Sequence, residues 1–160
     1  YLKMSIVLAR IDDRLIHGQV MTSWLNYTGA GKIVVIDDAT AKDSFLSMII
    51  KTLVPANIET VVTTLENSCQ VIRDLKDSEK VILLSKTPEA YVHLLRNKIL
   101  LEKVNIGGMG SRPGRSTLYR NISASQEELD QLKELMSNGI PVEIQMVAED
   151  TAINVKKYIK

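Results

Sequence analysis

Cysteine is nearly missing from this sequence of 160 residues, in which Cys69 is the only one. A single cysteine can form no internal disulfide and can supply no cysteine cluster with metal-ligand spacing. Low cysteine usage is typical of a reducing compartment, and Cys69 itself is interpreted as a small core residue. We therefore expect a cytoplasmic protein.

An excess of charge is missing too. The 20 Lys and Arg residues nearly balance the 19 Asp and Glu residues, which leaves a formal net charge of +1. A general nucleic-acid-binding protein needs a basic surface, so this balance argues against that class. Long hydrophobic runs are also missing, since the longest, at residues 6–9, 33–36 and 81–84, fall far short of the roughly 20 residues that a membrane-spanning helix needs.

What remains is the composition of an ordinary globular domain, with 45% hydrophobic and 24% charged residues. A chain of about this length typically forms one domain and needs neither a disulfide nor a structural metal to fold. We place this domain at residues 4–160. Residues 1–3 precede Met4 and are interpreted as a remnant outside the domain, and no signal segment is recognised at the N-terminus.

Short runs rich in Val and Ile recur along the chain and are typical of strands buried on both faces of a sheet. They lie at residues 5–11, 32–37, 59–63, 80–85, 103–107 and 142–147. Helical patterns separate them, and the apolar stripes of two predicted helices should face the core. These stripes are Phe45, Met48, Ile49 and Leu53 in one helix, and Leu129, Leu132 and Met136 in the other.

Helix-start signals agree with this alternation. Thr87 before Pro88 is typical of a helix start, and Ser125 with Glu128 predicts a capping box. The alternation predicts an α/β fold, with a mainly parallel open sheet and helices on both faces. Ligands bind to such sheets outside the carboxyl ends of the strands, so the polar segments that follow the strands should meet at one edge.

The segment after the first predicted strand, residues 10–19 (RIDDRLIHGQ), carries the clearest functional signal. His17 lies at the transition into a helix, where free backbone N–H groups and the helix dipole favour a phosphate or another anion. Arg10 and Arg14 add guanidinium groups that suit phosphate oxygens. An imidazole beside arginines is largely neutral near pH 7, so the segment suits a phosphorylated histidine. A structural histidine whose ring is satisfied by the backbone is the alternative.

Two pairs of aspartates need an account of their own. Asp12 and Asp13 would repel a phosphate that they faced, so we expect at least one of them to hold an arginine or a backbone N–H group, or to fix the imidazole tautomer. Asp37 and Asp38 are interpreted as helix caps or as partners of cations, and no metal and no cofactor are predicted. Trp24 is either a core residue or an exposed anchor.

A second candidate segment, residues 107–116 (GGMGSRPGRS), is rich in glycine and arginine. These residue types after a strand predict a shaped, exposed loop that attracts anions, although neither a P-loop nor a dinucleotide fingerprint is present. A long surface turn is the alternative. The residues singled out for a partner-binding or phosphate-binding loop are Gly107, Gly108, Met109, Arg112 and Arg115.

Residues 10–20 (RIDDRLIHGQV) strongly resemble the IIB components of the mannose/fructose/sorbose class of the bacterial phosphoenolpyruvate-dependent sugar phosphotransferase system. Gly110 stands where many members have histidine or arginine, and the Arg-Pro-Gly after it looks more like the sorbose-type members. The likeness covers essentially the whole chain after Met4. It continues at Trp24 and at residues 37–38, 105–109 and 112–114.

The resemblance implies a phosphotransferase that needs no cofactor. A phosphohistidine IIA protein would donate a phosphoryl group to Nδ1 of His17, and the group would pass to a sugar imported by the membrane IIC and IID components. Arg14 would stabilise the phosphate, Arg10 and Asp13 would complete the catalytic set, and Asp12 would belong to the phosphate loop. The protein would associate with the inner face of the membrane through IIC and IID, and a homodimer is compatible with this function.

Two other functions stay open. A histidine phosphatase needs a second active-site histidine, for which His93, predicted in mid-helix, is badly placed. A non-catalytic anion-binding or regulatory module would use His17 only structurally. Transfer between two histidines needs a shallow or convex docking face, so Arg112 and Arg115 are predicted to lie around His17 and to attract an acidic patch of the donor.

Overall fold

The computed structural model describes residues 2–159, in which strands and helices alternate as predicted. The strands are β1 (Ile6–Asp12), β2 (Lys32–Ile36), β3 (Glu59–Thr63), β4 (Val81–Ser85), β5 (Val104–Gly108), β6 (Ser116–Tyr119), β7 (Ile122–Ala124), β8 (Val142–Ile144) and β9 (Ile153–Asn154). The helices are α1 (Gly18–Thr28), α2 (Asp38–Ala41), α3 (Ser44–Thr52), α4 (Leu65–Arg73), α5 (Glu89–Arg96) and α6 (Gln126–Ser137), followed by a 3-10 turn at Val155–Lys157.

Seven strands form one open sheet in the order β3-β2-β4-β1-β5-β8-β9. All neighbours pair in parallel except β8 and β9. The strands β6 and β7 form a separate antiparallel hairpin after β5. The predicted α/β fold with a mainly parallel sheet is therefore confirmed, with β1 near the centre. The hairpin and β9 were not predicted, and β8 is shorter than the predicted 142–147.

Helices cover both faces of the sheet, as predicted. On the α1 side, Met21 and Trp24 pack with β-strand residues such as Ile33. On the α4–α6 side, residues of three helices pack together, among them Cys69 of α4 and Tyr91 of α5. Trp24 is a core residue and not an exposed anchor, because only 3% of it is exposed.

One of the two apolar stripes does not face the core. No residue of α3 is buried, and the side chains of Phe45, Met48, Ile49 and Leu53 are all exposed. Only Ile50 of this helix packs against the α1-side core. The prediction for this stripe is wrong because periodicity shows that a helix has an apolar face without showing what covers it, and α3 leads into the edge strand β3. The other stripe is confirmed: Leu132 is fully buried, with Leu129 and Met136 packed beside it.

The residues before Met4 contact the domain. Leu2 forms a parallel bridge with Leu100, and the Lys3 ammonium donates a hydrogen bond of 2.8 Å to the main-chain oxygen of Leu75. Tyr1 and Lys160 lie outside the described residues, so the boundary at Met4 stays a prediction. None of the helices in residues 2–159 combines the length and the apolar character that a membrane span requires.

Tyr91 ties α5 to two central strands. Its hydroxyl is fully buried and donates to the main-chain oxygen of Arg10 at 2.7 Å. The main-chain oxygen of Leu83 lies 3.2 Å from the same hydroxyl and is a second acceptor. Burial raises the pKa of this phenol. We expect Tyr91→Phe to lower the free energy of unfolding by about 1–2 kcal/mol, because two acceptors lose a buried donor. Urea unfolding should show a lower midpoint at an unchanged slope.

Tyr27→Phe is the matched control, since 73% of Tyr27 is exposed. Its unfolding midpoint should equal that of the parent. Equal midpoints for both variants would contradict the stabilising role of the Tyr91 hydroxyl.

Candidate functional site

His17 lies at the carboxyl edge of the sheet, in the loop between β1 and α1. We call residues 12–17 the histidine loop and residues 109–115 the glycine loop, which follows β5. The two loops are neighbours because β1 and β5 are adjacent strands, and the Asp13 N–H donates to the Gly108 oxygen at 2.9 Å. The predicted meeting of these segments at one edge is confirmed.

A tight turn with buried side chains shapes the histidine loop. The Leu15 N–H donates to the Asp12 oxygen at 2.9 Å, and Leu15 has a φ of 58°, in the left-handed region. That conformation costs a non-glycine residue on the order of 1–2 kcal/mol. The side chains of Leu15 and Ile16 are both 3% exposed in the α1-side core, and this burial offsets the cost. His17 therefore follows a turn that the buried side chains of Leu15 and Ile16 hold against the core.

His17 is the residue that caps the N-terminus of α1, with φ −140° and ψ 131°, but its side chain makes no capping hydrogen bond. Its Nε2 is buried without a partner among the described residues, and the residue as a whole is half-buried. Burial lowers the pKa of His17, the charges of Arg14 and Arg10 lower it further, and Asp12 opposes them. The imidazole is therefore neutral at pH 7. The alternative prediction is a structural histidine whose ring is hydrogen-bonded to the backbone. The buried Nε2 has no such hydrogen bond.

Asp12 binds the two arginines of the motif. Its carboxylate is 1% exposed and accepts hydrogen bonds from the Arg14 backbone N–H at 3.0 Å and from Arg14 Nε at 3.1 Å. The other oxygen lies 3.3 Å from both Arg10 Nη2 and Arg14 Nη2. The side chain of Arg14 is 47% exposed, and its Nη1 donates to nothing within residues 2–159. The expectation that an aspartate holds an arginine in place is confirmed.

Arg10 lies beneath the surface and not at it. Its side chain is fully buried, with Nη1 donating to Asn105 Oδ1 at 2.5 Å and to the Gln145 oxygen at 2.9 Å. Its Nη2 donates to the Met146 oxygen at 2.9 Å, and the guanidinium lies 5.5 Å from the centre of the Trp24 ring. The expectation that the Arg10 guanidinium is presented to a phosphate must be corrected, because its donors point to buried acceptors.

Two glycines make room for these ion pairs. A Cβ atom at Gly107 would overlap the Arg10 guanidinium, and one at Gly108 would lie 2.7 Å from Asp12 Oδ1. Met109 follows with a fully buried side chain, and its oxygen accepts a hydrogen bond of 2.7 Å from the Ser123 N–H. Gly107, Gly108 and Met109 therefore support the site from below and offer no side chain to a partner.

The two arginines of the glycine loop differ in exposure. Arg112 is 52% exposed and lies 3.6 Å from Glu128, so it can meet a partner. The side chain of Arg115 is only 1% exposed and joins Asp13 to Glu128. The prediction that Arg115 attracts a partner is wrong, because its guanidinium is buried and already paired with two carboxylates. Sequence reasoning saw Glu128 only as the end of a capping box, which the structure confirms.

The other acidic pair serves as helix caps. Asp37 accepts from the Thr40 N–H at 3.1 Å and lies 3.5 Å from the Lys86 ammonium, while Asp38 accepts from the Leu65 N–H at 2.7 Å. This agrees with the interpretation from sequence. His93 lies on α5, on the opposite side of the sheet from α1, so the structure does not bring the two histidines together.

The comparisons with known proteins show the family to which this chain belongs. Residues 6–160 match the family model described as PTS system sorbose subfamily IIB component. The sorbose-specific EIIB component of Klebsiella pneumoniae is 31% identical over 153 residues, which are 95% of this chain and 93% of that relative. The crystal structure of the IIBSor domain of the sorbose permease from the same organism has a TM-score of 0.90, with 31% identity and coverage of 96% and 95%.

A longer relative contains this domain as one part. The mannose-specific EIIAB component of Escherichia coli strain K12 is 31% identical over 157 residues, which are 98% of this chain. The same alignment covers 49% of that relative, so this chain spans about half of its length.

The family match and the fold place this chain in a class of α/β proteins that transfer phosphoryl groups. The chain belongs to the sorbose subfamily of IIB components of the sugar phosphotransferase system. It is therefore a phosphotransferase that acts as a phosphocarrier in sugar uptake, and the resemblance seen in the sequence is confirmed. The anion-binding module and the histidine phosphatase are not favoured.

The contact between Gly107 and Arg10 can be tested by adding one methyl group. We expect Gly107→Ala to lower the free energy of unfolding by about 3 kcal/mol, because the new Cβ displaces a buried guanidinium from its acceptors. Gly31→Ala is the matched control, since a Cβ there meets nothing within 4 Å. Urea unfolding of both variants makes the comparison, and equal midpoints would contradict the close approach at Gly107.

The charge of Arg14 can be tested on His17. Because Arg14 lowers the pKa of His17, we expect Arg14→Gln to raise this pKa toward the ordinary value near 6.5. Imidazole nitrogen chemical shifts followed by NMR over pH 4–9 give the pKa directly. Lys76→Gln removes the same charge before β4, at the opposite edge of the sheet, and should leave the pKa of His17 unchanged. No change, or a fall, in the Arg14 variant would contradict this electrostatic role.

Proposed function

We propose that His17 is the phosphoryl acceptor of this IIB component. It receives the group from a phosphohistidine on a IIA protein and passes it to a sugar imported through the membrane IIC and IID components. The observation that carries this proposal is the state of the ring: a half-buried, neutral imidazole stands at the start of α1, and Nε2 is its buried nitrogen.

The geometry supports acceptance at Nδ1. In the neutral ring one nitrogen carries a proton and the other a lone pair. With the proton on the buried Nε2, the lone pair of Nδ1 attacks the phosphorus, an N–P bond forms, and the N–P bond to the donor ring breaks with its electron pair returning to the donor. In the second transfer a sugar hydroxyl forms the new O–P bond and loses its proton, while the N–P bond of His17 breaks.

Two features of the loop stabilise the phosphoryl group. The first turn of α1 has no side-chain cap and no acidic residue, so the backbone N–H groups of residues 18–20 are available to phosphate oxygens. Arg14 adds a half-exposed guanidinium that Asp12 holds by two of its donors, Nε and Nη2. Its free Nη1 can reach a phosphate on His17 without an ordering cost for the rest of the side chain.

The remaining site residues act through others. Arg10 orients Asp12 from below, and Asp13 joins the histidine loop to the glycine loop through the Gly110 N–H at 2.6 Å. Arg112 is the exposed cation that a donor protein can meet. A carrier of this kind works in the cytoplasm and associates with the membrane through IIC and IID.

His17→Gln tests the assignment. With a phosphorylated IIA protein as donor, we expect the parent to gain one acid-labile phosphate and the variant to gain none, because an amide cannot form the N–P bond. Intact mass at neutral pH and after brief acid treatment measures this. His93→Gln removes the other histidine and should accept phosphate like the parent.

Acid-labile phosphate on His17→Gln would overturn the assignment. Release of free inorganic phosphate by the parent, without a phosphorylated protein, would support a phosphatase instead. Binding of the donor without any transfer would support the non-catalytic module.

A further inference from the structure

Two carboxylates stand side by side in the histidine loop, and they are held by different partners. Burial and the charges of Arg14 and Arg10 lower the pKa of His17, and Asp12 opposes them. Asp13 is the more exposed of the two aspartates, with 29% of its side chain exposed against 1% for Asp12. Its partners are the Arg115 guanidinium and the Gly110 N–H, which differ from those of Asp12.

Both oxygens of the Asp13 carboxylate are occupied. Arg115 Nη1 lies 3.3 Å from Oδ1 and 3.1 Å from Oδ2, and the Gly110 N–H donates to Oδ2 at 2.6 Å. The same Nη1 also donates to the Gly110 oxygen at 2.9 Å. The charge of Asp13 is therefore compensated by a guanidinium that is itself almost fully buried.

Glu128 holds that guanidinium in place from α6. Arg115 Nε and Nη2 donate to its two oxygens at 2.9 and 2.8 Å, a parallel pair of charge-assisted hydrogen bonds. Burial alone would raise the pKa of Glu128, but the bonds from Arg115 and Ser125 leave it lowered. Hydrogen bonding to Glu128 is also the main cause of the raised pKa of Arg115. Both groups are ionised at neutral pH.

We propose that Arg115 and Glu128 are positioning residues of the acceptor site: Glu128 orients Arg115, and Arg115 neutralises Asp13, so that an arriving phosphoryl group meets no uncompensated carboxylate beside His17. Neither residue touches the reacting atoms. This role rests on the proposed function of His17 and adds to it an explanation of how an anion is accepted next to two aspartates.

A purely structural tie would use the same contacts. Arg115 joins the histidine loop, the glycine loop and α6, so its loss would loosen all three whatever the charge of Asp13. The two roles differ in one variable. If Arg115 acts by neutralisation, the loss of Arg115 is harmful only while Asp13 carries a charge.

Arg115→Met removes the charge and keeps an extended side chain. We expect the second-order rate of transfer from phosphorylated IIA protein to fall on the order of tenfold at low salt, because the freed carboxylate repels the phosphoryl group. The pKa of His17, followed by NMR, should rise, because the same carboxylate stabilises the imidazolium. Glu128→Gln should change both quantities in the same direction and by less. Glu127→Gln removes the neighbouring, exposed carboxylate and is the matched control, for which neither quantity should change.

The double variant Asp13→Asn/Arg115→Met decides between the two roles. With no carboxylate left to neutralise, we expect the transfer rate to return to within about threefold of the parent and the pKa of His17 to fall back. A double variant that is folded but transfers as slowly as Arg115→Met would overturn the proposal in favour of a structural tie. If Arg115→Met does not fold, Glu128→Gln with and without Asp13→Asn makes the same comparison. A parent that carries no phosphate on His17 would refute the proposed function, while the pKa comparison would still test the neutralisation of Asp13.

Discussion

One buried carboxylate organises this site. Asp12 is almost completely removed from solvent, and Arg10 and Arg14 both donate to its carboxylate. Burying an ion costs several kcal/mol unless its partners and hydrogen bonds are nearly complete. Arg10 is in turn buried and needs the main-chain oxygens of Gln145 and Met146, which come from the far end of the chain. These contacts fix Asp12, and Asp12 fixes Arg14. The electrostatic effect of Arg14 on His17 therefore depends on them.

Burial divides residues of one type into different roles. Arg14 and Arg112 are about half exposed and carry charge to the surface, whereas Arg10 and Arg115 are buried and compensate carboxylates. The paired glycines belong to the same design, because a side chain at Gly107 would occupy the space of the Arg10 guanidinium. The resulting surface combines a neutral imidazole, a helix start without acidic residues and the half-exposed cation of Arg14.

The fold was largely predictable because its main elements are long and periodic. Runs of Val and Ile gave the central strands, and capping residues such as Ser125 marked helix starts. The missed elements are short: β6 has four residues, β7 three and β9 two, too few to show a period. The prediction that the apolar stripe of α3 faces the core failed for another reason: the stripe exists but faces solvent.

For the site, the sequence by itself determined the types of residue and their place in the fold. These are a histidine at a strand-to-helix transition, arginines and aspartates before it, and a glycine loop that follows another strand. Resemblance at residues 10–20 then indicated the family. Only the tertiary structure decided which arginine is exposed, which aspartate holds which cation, and that Glu128 belongs to the site. The physical reason is distance along the chain: the partners of Arg10 and Arg115 lie up to 136 and 102 residues away, and no local pattern records which of them will meet.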